Sequence, residues 1–90
     1  MPGVAKILFD GGARLMPAQN QYDRELVFEE AEFFARRHGR ATLELGQQAM
    51  SIRPASSGET CSGCSKPLGS LIFAVGLRMF CRRCARRTSR

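Results

Sequence analysis

CSGCSKPLGSLIFAVGLRMFCRRC, residues 61–84, holds every cysteine of the 90-residue chain, in two Cys-x-x-Cys pairs separated by sixteen residues. Each short pair places two sulfurs around one ion. A spacer of this length lets the second pair return to complete a tetrahedron. The spacing predicts Cys61, Cys64, Cys81 and Cys84 as ligands of one structural Zn2+ per chain. A mononuclear iron site of the same four-sulfur geometry is the metal alternative, because soft thiolates accept both. Four sulfur ligands leave no open position for substrate or activated water, so the reading does not include metal-centred catalysis.

Between the pairs, Leu71 to Val75 (LIFAV) and Leu77 to Phe80 (LRMF) flank Gly76 and predict a short hairpin. Gly63 and the run Ser65 to Gly69 suit a tight turn with backbone N–H groups aimed at the sulfurs. After the second pair, CRRCARRTSR has good helix formers and no proline. This segment resembles the treble-clef zinc fingers: a Cys-x-x-Cys knuckle followed by Lys66-Pro67-Leu68-Gly69, a hairpin, then Cys81 and Cys84 on the first turn of a helix. The resemblance covers the last third of the chain and implies a zinc finger with a structural ion. Zinc ribbons share the spacing but carry the second pair on another knuckle; Ala85 onward favours the helix. Residues 1–54 carry no family resemblance.

Working toward the N-terminus, ASSGET (residues 55–60) reads as a small polar linker after Pro54. Ala41 to Leu45 and Ala49 to Arg53 alternate in polarity around Gly46-Gln47-Gln48 and predict a second hairpin, with Met50 and Ile52 inward. Before it, Tyr22 to His38 reads as a helix, with Asn20 as N-cap and Gly39 as a left-handed C-cap. Acids crowd its first half, and Arg36, Arg37 and His38 its last turn. Its large apolar residues Tyr22, Leu26, Phe33 and Phe34, flanked by Val27, mark the expected buried side; Phe28 lies outside it and reads as buried in the chain's own fold, with an aromatic left for a partner as the alternative. Glu29, Glu30 and Glu32 read as a solvated flank, and His38 as a capping residue. Val4 to Phe9 predicts a strand ended by Asp10-Gly11-Gly12, with Ala13 to Met16 as its hairpin partner. The expected class is α+β: a strand–helix–hairpin unit over 1–54, a linker over 55–60, and a four-cysteine zinc module over 61–90.

The net charge is +6, unevenly placed: residues 1–60 carry seven Lys/Arg against eight Asp/Glu, and residues 61–90 carry seven against none. On a helical wheel at about 100° per residue, Arg82, Arg83, Arg86, Arg87 and Arg90 share one side, opposite Cys81, Cys84 and Ala85. Five like charges on one face destabilise an isolated helix, and a phosphate backbone offsets them through bidentate arginine contacts. Lys66 and Arg78 extend the patch. The reading is therefore a nucleic-acid-binding accessory or regulatory module, for DNA or RNA. Three other readings of the arginine face stand beside it: a solvated surface, a dock for the chain's own Glu29, Glu30 and Glu32, and an acidic protein partner. A protein-binding adaptor or inhibitor with a purely structural zinc is the alternative function, and a thiol redox switch is the third. Phe73 and Phe80 read as packing against the metal site rather than as base-stacking groups.

No catalytic constellation is legible, and no enzyme is expected. The chain shows no secretory signal and no apolar run near ~20 residues, so the reading is cytoplasmic with no membrane partner. The paired cysteines point the same way, to metal chemistry in a reducing compartment.

Overall fold

Turn chemistry sets the first hairpin. In the computed structural model, which describes residues 3–55 and 58–88, β1 (Val4–Phe9) and β2 (Gly12–Pro17) pair antiparallel, with Phe9 opposite Gly12. Gly11 has φ 97°, a conformation that L side chains rarely adopt, which is why the Asp-Gly-Gly turn closes where it does.

The helix α1 (Gln21–His38) begins at Asn20, whose side chain accepts a 2.8 Å hydrogen bond from the Asp23 N–H. It ends at Gly39, left-handed with φ 82°. From there β3 (Ala41–Leu45) returns to pair with β1, and β4 (Gln48–Pro54) pairs with β3. After the cysteine knuckle, β5 (Leu71–Val75) pairs with β4, and β6 (Arg78–Phe80) with β5. A short helix, α2 (Arg82–Thr88), follows.

All six strands form one antiparallel sheet in the order β2-β1-β3-β4-β5-β6. Residues 55–60 connect the two halves of the chain, but β4 and β5 are neighbours in this sheet, so both halves contribute to it. The registers align a row of side chains across the inner face. Phe9 faces Ala41, Ala41 faces Ile52, Ile52 faces Phe73, and Phe73 faces Phe80. Phe80 is adjacent in sequence to Cys81, so the apolar row ends at the cysteines.

Helix α1 covers β1 to β4, and α2 lies against β5 and β6. The buried side of α1 is Val27, Phe28, Ala31, Glu32 and Ala35. This corrects the expected face: Tyr22, Leu26 and Phe33 are exposed at 72%, 40% and 52%, and only Phe34 and Val27 of the predicted set turn inward. Ala31 and Ala35 present no bulk, which lets the helix axis approach the sheet. Phe28 meets Phe73 at 5.9 Å between ring centroids, and Phe34 stacks on Phe9 at 4.1 Å. Phe73 and Phe80 are buried, as expected. His38 lies against Phe9 with ring centroids 5.1 Å apart. Among the described residues no helix is long and apolar enough to cross a membrane.

Candidate metal centre and arginine cleft

The first cysteine pair is held by a tightly closed turn. The Cys61 N–H donates to Lys66 O at 2.8 Å, the Ser65 N–H to Cys61 O at 2.9 Å, and the Leu68 N–H to Glu59 O at 3.0 Å. Ser65 is left-handed at φ 64°, the one described non-glycine residue there. The Ser62 N–H donates to Met79 O at 2.7 Å, tying the turn to β6. Arg53 of β4 reaches back to Glu59 at 3.3 Å, anchoring the entry to the turn.

The second pair is placed by the end of β6. Cys81 follows Phe80 directly and its carbonyl accepts from the Ala85 N–H at 2.9 Å, so it opens α2; Cys84 lies in the first turn. The four sulfurs all lie within 4.8 Å of one another. Cys64 and Cys81 are separated by 3.9 Å between sulfurs, far beyond a covalent S–S bond. That spacing matches the roughly 3.8 Å edge of a tetrahedron with Zn–S bonds of about 2.3 Å. The donor set therefore fits one four-coordinate zinc, and soft thiolates are what such an ion selects.

The surroundings favour negative sulfur. N–H groups of Gly63 and Cys81 each donate to the Cys61 Sγ at 3.3 Å. Burial opposes ionisation of Cys61, but these N–H groups, that of Cys64 and the Cys84 thiol outweigh it and bring the pKa to about 6. Cys84 is pushed up to about 12, first by its hydrogen bond to Cys61 and then by burial. The thiol cluster accepts a first negative charge readily and resists the next. A divalent cation relieves that resistance. Gly63 is required by space: a Cβ there would lie 2.8 Å from the Cys84 sulfur.

The arginines expected on one face divide into two groups. Arg82 pairs with Glu32 at 2.6 Å and with Glu29 at 3.9 Å. Arg86 pairs with Glu25 at 2.9 Å and sits over the Phe28 ring at 5.9 Å. These two dock α2 onto α1; Arg82 does so on Glu29 and Glu32, as one of the alternatives the sequence left open has it, and Arg86 on Glu25, which that alternative did not include. Glu32 is accordingly buried at 7% exposure rather than solvated, and Glu30 pairs instead with Arg14 at 3.7 Å. Burial raises the Glu32 pKa, against the opposing pull of Arg82, Arg36 and Arg86.

Arg83 and Arg87 remain exposed. Lys66 is exposed on the knuckle, and Arg78 lies over the Phe80 ring at 5.1 Å. Arg90 lies outside the described residues. Between the helices runs a cleft of about 450 Å3 to which α2 contributes all four of its arginines. The facing wall from α1 includes Arg24, Glu25 and Phe28; Lys66 and Arg78 are not part of it. Arg24 was missed by the sequence reading. Only the packing of α2 against the first turns of α1, a contact between distant segments, reveals it.

No protein-family model, curated protein or solved structure matches this chain.

Proposed function

We propose that this chain is a small zinc-binding, nucleic-acid-binding accessory module, in which a treble-clef arrangement of the four cysteines holds a short arginine helix for phosphate contact. The observation that carries the reading is the division of α2. Cys84, one of the four clustered cysteines, and Ala85 are buried, while Arg83 and Arg87 are exposed. The order of knuckle, β5–β6 hairpin and Cys84 on a helix supports the treble-clef reading. Zinc is structural here and supplies much of the folding energy of a segment too small to bury a core of its own. The chain acts by binding rather than by catalysis.

Fluorescence anisotropy with labelled duplex and single-stranded probes tests this across a salt series. Binding weakens steeply with salt. The double variant Arg83→Glu/Arg87→Glu loses about two phosphate contacts, which lowers the salt slope by roughly 1.8 on duplex DNA. Chelation abolishes binding. Binding that is unaffected by the double variant, or that persists after zinc is removed, overturns the reading.

A second reading rests on α1. Tyr22, Leu26 and Phe33 are exposed together on the side of α1 away from the sheet, an apolar strip suited to a protein partner. In that case the protein is an adaptor or inhibitor. Phe33→Ser then disrupts a defined complex that Arg83→Glu/Arg87→Glu leaves intact, and no nucleic acid binds.

A further inference from the structure

Arginine side chains from two helices converge on the cleft between α1 and α2. Five arginines line it against one glutamate. Two of them, Arg82 and Arg86, are already paired with α1 carboxylates. Arg24, Arg83 and Arg87 have no carboxylate within ion-pair distance among the described residues. The Arg24 Nε is enclosed and makes no hydrogen bond there. An enclosed guanidinium N–H without an acceptor is uncommon in a folded protein and points to a group that completes it.

We propose that this cleft binds an oligophosphate: two or three linked phosphoryl groups, free, on a nucleotide, or at the 5′ end of an RNA. Three guanidinium groups together carry about three positive charges and several N–H donors each. One phosphate at neutral pH carries less than the charge of three guanidinium groups and leaves the cleft cationic, whereas linked phosphoryl groups neutralise it. The cleft volume of about 450 Å3 lies in the range of small-molecule sites. Gln21 adds a polar amide to the lining, and Phe28 an aromatic ring over which Arg86 is already held. Glu25 is the one anionic wall and opposes the ligand. Its pairing with Arg86 sets the resting state of the cleft.

The inference goes beyond the nucleic-acid reading, since it turns on Arg24 and on terminal or free phosphoryl groups rather than on internucleotide phosphates. Isothermal titration of the zinc-loaded full chain with inorganic tripolyphosphate, pyrophosphate and orthophosphate tests it, with zinc retention followed in the same samples by native mass spectrometry. Tripolyphosphate binds at least tenfold more tightly than orthophosphate. Arg24→Gln and Arg87→Gln each weaken it about tenfold, Glu25→Gln tightens it, and Lys66→Gln leaves it unchanged. Circular dichroism verifies that each variant folds.

ATP, and one RNA bearing either a 5′-triphosphate or a 5′-hydroxyl, distinguish the source of the ligand. Equal affinity for ortho- and tripolyphosphate, no heat with any of them, or affinity unchanged in both Arg24→Gln and Arg87→Gln overturns the proposal. Tripolyphosphate binding with no salt-sensitive nucleic-acid binding leaves this inference standing and removes the other reading. The reverse result does the opposite.

Discussion

Gly63 and Glu32 hold the two sides of α2 in place, one through the space it leaves and one through its contact with Arg82. A methyl at position 63 would collide with the Cys84 sulfur at 2.8 Å and push the knuckle away from the second cysteine pair. Gly63→Ala therefore weakens zinc, by about 1–3 kcal/mol if the misfit resembles overpacking of a core, as read by competition with a chromophoric chelator. Unchanged affinity would show that the knuckle relaxes freely. Glu32 titrates above the ordinary 4.5 because burial disfavours its charge. A carboxyl whose folded pKa is raised contributes stability that is fully present below the unfolded pKa and is lost as pH rises through the folded value. The wild type thus loses stability relative to Glu32→Gln as pH rises from about 4.5, and urea unfolding of zinc-saturated protein between about pH 5 and 7.5 reads it. A constant difference across that window contradicts the assignment.

At the scale of elements, local chemistry was legible and facing was not. The turn at Asp10-Gly11-Gly12, the Asn20 cap and the Gly39 stop were readable because each is a short-range backbone requirement met by one or two residues. The strand Ala41–Leu45 followed from alternation alone. The buried face of α1 did not follow, because side-chain size pointed to Tyr22, Leu26 and Phe33 while the sheet accepts the small Ala31 and Ala35. Substitution separates the two faces. Ala31→Leu and Ala35→Leu each cost about 1–3 kcal/mol in urea unfolding, whereas Tyr22→Ala stays within roughly 0.5 kcal/mol of wild type. The opposite ranking would restore the face expected from sequence.

For the whole molecule, the Cys-x-x-Cys spacing made the cysteine cluster readable and left its integration with the N-terminal half unreadable. The β4–β5 pairing joins residues 51–54 to 71–74, across the segment that reads as a linker. Register between distant strands depends on side-chain complementarity such as Ile52 with Phe73, which no local pattern encodes. The docking of Arg82 and Arg86 on α1 is similarly non-local, and it converts part of an apparent binding surface into structure. Because Phe73 and Phe80 belong to the common core, chelation should lower the protection of β4 as well as β5, β6 and α2 in amide exchange. Exchange that stays slow in β4 after zinc removal would mean that the sheet does not transmit the loss.

The central claim is that four cysteines bind one zinc and thereby hold α2 in place. Native mass spectrometry of the full chain after brief alkylation under native conditions addresses it directly. The account predicts one zinc per chain with Cys61, Cys64, Cys81 and Cys84 all unmodified. A metal-free chain that is alkylated at all four cysteines yet retains its native circular dichroism would contradict it.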